Sequence, residues 1–505
     1  MLVVGKALDE AESEERKNEL DRMAAMLSRL GGRGYQVREA KSAYGGNTID
    51  PDPDLDETKP RQGGGARQAR GVLRRKMKLS DDTKKKRRQY PTQGRPASAV
   101  DCVAHDPVLN DYGTLSSIDL FAGAGGLSEG LSMAGFVPLF ASELVESYAR
   151  TYKFNHPRTE VRCADIRSLD PKAIMKQVGV RRGELDLIAG GPPCQGFSIN
   201  APVRSVMDQR NHLFKEYLRF VDAFQPRAVL IENVPGLVSF EHGATLHAIL
   251  NALAELGYGA DVRILGAAYY GVPQMRWRTI IIGLRGKTVP SYAFPEPVRH
   301  APIRPNFTTT FEGKMLVKMP TAATASPFTT VEQALSDLPS LACGERGALL
   351  KQYATPPLCD YQRWARIVSN GVSNHEAPKL SALNLERLSH IQPGGNWTDI
   401  PDHLLPKGMT RARKSDHTQR YGRPRPDGLA STILTKCDPH WGAYFHYAQN
   451  RSYTVREAAR LQSFPDHFLF TGTMAEQFAQ VGNAVPPLLA EAVGLAIKNV
   501  LNEEN

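Results

Sequence analysis

Four short segments of this chain place reactive side chains at positions where a backbone turn would present them to a ligand. In GGPPCQGFS, Gly190 to Ser198, Cys194 follows two prolines directly after the apolar run LDLIAGG. A thiol on a stiff turn at a strand end faces a crevice rather than a core, as a nucleophile must. An unassisted thiol has a pKa of about 8.5, so a nucleophilic Cys194 needs help from its surroundings. A buried small residue is the competing reading, which the flanking PP and QG disfavour. In VLIENVPG, Glu232 closes another apolar run. An unpaired carboxylate there is costly, so it is either satisfied by backbone amides or kept as a catalytic acid whose pKa burial raises. In QMRWRTIIIG, Arg276 and Arg278 alternate with Met275 and Trp277. On one strand they share a face and suit an anionic ligand or an acidic neighbour, although surface charge reads the same way. In DLFAGAGGLSEGL, Gly123, Gly125 and Gly126 allow a tight strand-to-helix turn that lets a ligand approach the backbone.

These segments need rigid elements to hold them. From about Leu115 onward, short apolar runs (LSSIDLF, VPLFAS, LDLIAGG, AVLIE) alternate with helical stretches such as ESYARTYKFN. That alternation predicts an α/β fold with a mainly parallel, Rossmann-like sheet and helices on both faces. VRILGAAYYGVP and RTIIIGL supply two further strands. Glu143 follows the second strand, where a carboxylate can take both hydroxyls of a ribose. Asp165 follows the third and can accept from an adenine amino group. Each alone reads more often as a surface or capping residue; in register they suit an adenosyl ligand. Between about Lys287 and Asp427 periodicity weakens and Pro and Gly become frequent, which predicts a small irregular inserted domain. A helical C-terminal stretch then closes the core.

Composition bounds the class. The 505 residues are 41% hydrophobic and 23% charged, ordinary for a globular protein of two or three domains, and the net charge of +10 favours a polyanionic partner. No run approaches eighteen apolar residues, so no membrane association is expected, and MLVVGKALDEAESEERK meets acidic residues too early for a signal peptide. The six cysteines form no CxxC pair and no zinc-site spacing, which points to a reducing compartment and no metal. Before the α/β region, a helix is expected from about Asp9 to Leu30, then a linker over 43–68, then the basic run RRKMKLSDDTKKKRRQ. That run reads as a solvated tail, a sequence-blind phosphate-binding arm, or both.

Taken together, FAGAGG, Glu143, Asp165, PPCQGFS, ENVPG, QMRWR, REAARLQSFPD and QVGNAVPP, in this order, resemble the cytosine carbon-5 DNA methyltransferases from about Leu115 to Val500. The resemblance implies S-adenosylmethionine as methyl donor and double-stranded DNA as substrate. Phe121, Gly123, Gly125, Leu127, Glu143, Asp165 and Ile166 would line the cofactor site, with Asn483 and Val485 packed beside it. Cys194 would attack carbon 6 of a flipped cytosine, Glu232 would hold and protonate ring nitrogen 3, and Arg278 or Arg276 would hold the base and steer Glu232. The segment from Gln195 through Leu213 would be a loop closing over DNA. The implied domains are an N-terminal extension (1–112), a catalytic domain (113–288), a target-recognition insert (289–450) and helices completing the catalytic domain (451–505). Arg411, Arg413, Lys414, Arg420, Arg423 and Arg425 would supply phosphate contacts from that insert. A monomer is expected in the cytoplasm, on the nucleoid if the source is prokaryotic, with a cognate restriction endonuclease as partner. Two alternatives share the scaffold: a tRNA cytosine-5 methyltransferase and a catalytically silent DNA-binding homologue. RSYTVREAAR and DPHWGAYFHY depart from the family pattern, which bears on DNA positioning rather than chemistry.

The first 110 residues carry half of the chain's net charge, 22 Lys and Arg against 17 Asp and Glu. Their removal is expected to leave methyl transfer intact, weaken DNA binding mildly and flatten its salt dependence. A truncated, folded chain without methyl transfer would overturn this division.

Overall fold

The computed structural model describes residues 115–193, 213–321, 326–347 and 349–503, all within one compact unit running from Asp82 to Asn505. The expected Asp9–Leu30 helix, the basic run, Cys194 and Gln195 lie outside the described residues.

Seven strands form one sheet: β1 (Leu115–Leu120), β2 (Phe136–Glu143), β3 (Glu160–Cys163), β4 (Leu187–Gly190), β5 (Ala228–Asn233), β6 (Tyr258–Gly266) and β7 (Trp277–Arg285), in the order β3-β2-β1-β4-β5-β7-β6. The first five run parallel, and β7 pairs antiparallel with both β5 and β6. The helices are α1 (Gly126–Met133), α2 (Glu146–Asn155), α3 (Pro171–Val178), α4 (Leu213–Phe224) and α5 (Ala244–Glu255). The apolar runs are continuous because both faces are buried. Leu187, Ala189, Leu230, Ile280 and Ile282 pack on one face against α1 and the C-terminal helix. Ile188, Val229, Ile231 and Ile281 pack on the other against α4 and α5. Strand order reverses between β1 and β4, the point at which a crevice opens outside the carboxyl ends of a doubly wound sheet. The glycine-rich loop leaves β1 there, and the segment entering Cys194 leaves β4 beside it.

The insert divides differently from the sequence expectation. Ala293, Phe294, Ala301 and Ile303 pack into the sheet core, as do Leu316 and Val317 on its other face, so 289–321 is a skirt of the catalytic sheet. The helices α6 (Val331–Leu335), α7 (Asp360–Ala365), α9 (Val455–Leu461) and α10 (Met474–Asn483) share one core that joins both ends of the insert to the C-terminal segment. Among the described residues of the insert, Leu388, Ile391, Trp397, Ile400, Leu404, Met409, Tyr421 and Phe445, gathered around α8 (Ala382–Ser389), form a small core of their own. Arg423 is buried against the Ile391 and His446 carbonyls, so it serves this core and not a phosphate. The polar run before α9 is buried as well. Arg451 and Glu457 meet there at 2.6 and 2.8 Å, and Thr454 and Glu457 close a capping box.

The final helix α11 (Pro487–Asn502) lies against α1. The stretch Met474–Asn502 is long and apolar enough to cross a membrane, yet 67% of its most apolar window is buried inside the fold. Close approach of α11 to α1 depends on absent side chains. A Cβ on Gly130 would stand 2.2 Å from the Pro487 carbonyl, and one on Gly126 would stand 2.6 Å from that of Val485. Gly130→Ala is therefore expected to destabilise the fold by about 1–3 kcal/mol, read as a lower urea midpoint. An unchanged midpoint would show that the two helices part freely.

Candidate active site

Sheet register brings the chemistry-bearing residues to one edge. Leu120 pairs with both Ser142 and Gly190, Glu143 with Cys163, and Gly190 with Ile231. Thus the β1 loop, Glu143, Gly191 and Glu232 lie in a row at the carboxyl ends of four strands.

On the β1 side the backbone turns sharply through three positive φ values, Phe121 at 60°, Gly123 at 57° and Gly125 at 102°. A Cβ on Gly123 would meet nothing within 4 Å, so the turn faces open space. Glu143 braces it: its carboxylate accepts from the amides of Gly123 and Val145, each at 2.8 Å. Burial raises its pKa, with those amides opposing. Asp165 caps the next turn, accepting from the Arg167 amide and side chain. The Arg167 contact holds its carboxyl below the ordinary value. Asn483 reaches across from α10 to the Tyr148 hydroxyl at 3.4 Å, and Val485 is buried against Gly126.

Two expected cofactor residues turn inward. Leu127 packs with Leu131 and Ala134 in the core under α1, and Ile166 packs on the opposite sheet face. The Leu127, Leu131, Ala134 spacing is a helical stripe, the signal that assigns Leu127 to the core.

On the β4–β5 side, Glu232 and Arg278 form an ion pair at 2.5 Å, their side chains 13% and 12% exposed. Burial lowers the Arg278 pKa, and Glu232 opposes that fall. A Cβ on Gly191 would approach the Glu232 carboxylate to 3.1 Å, and Asn233 donates to the Pro192 carbonyl at 3.2 Å. The segment entering Cys194 is thereby fixed alongside Glu232.

Arg276 does not share this position, which corrects its expected place beside the base. β7 starts at Trp277, so strand alternation does not carry Arg276 onto the face of Arg278. Its guanidinium is 1% exposed and donates to the carbonyls of Ile433, Gly482 and Ala484 at 3.0, 2.8 and 3.1 Å. Gln274 works in the same seam, donating to the Leu461 carbonyl and the Gln462 side chain and accepting from the Ile433 amide.

The sequence reading also missed Asp119 and Tyr148. Asp119 is 1% exposed; one carboxylate oxygen accepts from Ser128 at 2.7 Å, and among the described residues the other has no hydrogen-bond partner. Its place inside DLFAGAGG was visible, but its burial was not.

A mostly parallel sheet with a glycine-rich turn at its switch point, a braced acidic residue closing β2 and a Glu–Arg pair between β5 and β7 defines a Rossmann-like methyltransferase fold. The chain matches the C-5 cytosine-specific DNA methylase family over residues 115–499, and it belongs to that family. It is a DNA (cytosine-5)-methyltransferase. The type II methyltransferase M.AgeI of Thalassovita gelatinovora is 35% identical over 432 residues, covering 76% of this chain and 99% of the relative. M1.HphI of Haemophilus parahaemolyticus is 35% identical over 394 residues, covering 77% and 88%. A solved structure described as a DNA modification methyltransferase encoded within an E. coli prophage superposes with TM-score 0.58 at 26% identity, covering 77% of this chain and 99% of that one.

Burial pushes the Asp119 carboxyl up to about 7; the Ser128 hydroxyl opposes this, and the Glu143 charge adds to it. Because the folded value lies above the unfolded one, the contribution to stability is intact below about pH 4 and is lost as pH rises through about 7. Melting temperatures of wild type and Asp119→Asn at pH 5 and pH 8 test this. The difference is expected to move in the variant's favour by roughly a few degrees at pH 8. A difference that does not change with pH would show that Asp119 titrates normally.

Proposed function

We propose that this enzyme flips a target cytosine out of double-stranded DNA, attacks carbon 6 with Cys194 and methylates carbon 5. The observation that carries this is the Glu232–Arg278 pair held against the Gly191–Pro192 segment that leads into Cys194. S-adenosylmethionine, when bound, supplies the electrophilic methyl group. The residues at the β1 edge fit it: the turn from Phe121 to Gly125 opens at Gly123, where a ligand can reach the backbone. Glu143 suits a ribose, Asp165 an adenine amino group, and Asn483 with Val485 closes the side.

The chain's own groups then divide the work. Carbon 5 of cytosine is a poor nucleophile. A thiolate adding to carbon 6 pushes electrons toward carbon 5, provided ring nitrogen 3 carries a proton. Glu232 supplies and holds that proton, and Arg278 orients the Glu232 carboxylate and the base. After methyl transfer a base removes the carbon-5 proton, the carbon 5–6 double bond re-forms and the Cys194 thiolate leaves. Arg276 and Gln274 position this machinery without touching the substrate. Gln195 and the segment that follows would close over the base and exclude water.

Target choice we assign to the insert, within 289–450, chiefly the part around the small core at α8. The chain would act as a monomer on chromosomal DNA in the cytoplasm. The bacterial relatives' names place them with type II methyltransferases, which supports a restriction endonuclease as partner.

Bisulfite sequencing of DNA from expressing cells gives the site. A duplex carrying 5-fluorocytosine at that site is expected to form a denaturant-resistant adduct in the presence of S-adenosylmethionine, because fluorine cannot leave as a proton. Cys194→Ser should form none, since a hydroxyl gives almost no anion at neutral pH, and Glu232→Gln should form it far more slowly. Peptide mapping that placed the adduct on another cysteine would sink the mechanism.

A further inference from the structure

Trp441 stands on the surface of the insert with 50% of its area exposed, yet it is held on several sides. Its amide donates to the Asp438 carbonyl at 2.9 Å, and the His440 amide donates to the Asp438 side chain at 2.8 Å, which fixes the turn. The Arg420 guanidinium lies 5.2 Å from the centre of its ring, and the His440 ring meets it edge-on, also at 5.2 Å. His440 is held in turn by the Tyr421 hydroxyl at 3.1 Å, and the Tyr421 amide donates to the Pro439 carbonyl at 2.7 Å. A single exposed aromatic residue is ordinary. One that is immobilised, has a cation against it and remains half in water has been preorganised for an apolar, anionic partner.

The turn is also tied to the active site through rigid links. Gly442 packs on the Tyr444 ring, where a Cβ would come within 2.6 Å. The Tyr444 hydroxyl donates to the Thr432 carbonyl at 2.9 Å and accepts from the Leu434 amide at 3.1 Å. Thr432 donates to the Met275 carbonyl, and Met275 and Arg276 lead directly into Arg278. Leu434 abuts Gly482, the neighbour of Asn483. Lys436, five residues before Trp441 in the chain, is exposed and adds positive charge.

We propose that Trp441 lays its ring against the bases of the bound duplex, with Arg420 fixing the ring and neutralising the adjoining phosphate. The inference deepens the DNA-methylation reading and rests on it. Stacking tolerates any base because each has a π face, so this contact holds a distorted duplex in place and leaves sequence reading to other groups. It also gives a use to DPHWGAYFHY, the stretch that departs from the family pattern.

The test uses the full-length chain and a duplex bearing the site found by bisulfite sequencing. Trp441→Ala is expected to raise the DNA Kd and the DNA KM roughly ten- to a hundredfold, leaving the KM for S-adenosylmethionine unchanged. Trp441→Phe should recover most of the loss, and Arg420→Ala should lose part of it and lower the salt dependence of binding. Binding of the duplex should quench tryptophan emission in wild type more than in Trp441→Phe, a readout independent of activity. Unchanged DNA binding by a Trp441→Ala protein that melts like wild type overturns the proposal. So does a Trp441→Phe protein as weak as Trp441→Ala. Wild type that methylates no DNA would instead overturn the reading on which the proposal rests.

Discussion

A guanidinium removed from water must find oxygen atoms wherever the chain can supply them, and Arg276 finds them on two distant segments. Its donors reach Ile433 at the end of the insert and Gly482 and Ala484 at the turn between α10 and α11. Burial pulls its pKa well below the ordinary value, with Arg278 adding to the fall and Glu232 opposing it. Breaking such an arrangement leaves an uncompensated charge in the core, which costs several kcal/mol. Gln274 and Gln462 repeat the logic with neutral groups, and Gln462 donates to the Ala484 carbonyl at 2.6 Å. The seam therefore fixes the cofactor edge, the insert and the start of β7 relative to one another. The Glu232–Arg278 pair inherits its position from that seam, because Arg278 lies two residues beyond Arg276 on the same backbone.

The strands and the β1 edge were legible in the sequence because their physics is local. Apolar runs of four to nine residues bounded by Gly, Pro or charge can hardly avoid becoming buried strands, and β1, β2, β4, β5, β6 and β7 all correspond to such runs. The acids after β2 and β3 were legible for the same reason, since sheet order puts successive strand ends side by side. The insert was not. Its cores draw on residues a hundred or more positions apart, such as Val331 with Phe478, and little of it has a regular period. Arg278 and Arg276 stood as alternatives beside Glu232, and only the choice between them was hidden. A spacing of two means one face only within a strand, and nothing local shows that the strand begins between them. Arg423 and Leu127 follow the same physics: a residue type suited to a ligand serves equally well to satisfy carbonyls or fill a core.

The β1 edge gathers carboxyl groups in a buried place. Asp119, Glu143 and Glu129 lie within or beside the first helix and strand ends, and among the described residues one Asp119 oxygen has no hydrogen-bond partner. Burial keeps Asp119 partly protonated near neutral pH, and Glu129 meets His156 and His467. Glu143 is therefore the carboxylate that braces the glycine-rich turn.

The packing of α11 on α1 has a consequence for how the protein is made. The Pro487 turn on which Gly126 and Gly130 rest emerges about 360 residues after them in synthesis. At about 5–20 residues per second, that gap lasts on the order of 20–70 seconds. During this interval the sheet can assemble, but the glycine-rich turn lacks the helix that seats it, and Arg276 lacks its carbonyl partners. A polypeptide that has not yet made α11 is thus without a finished centre.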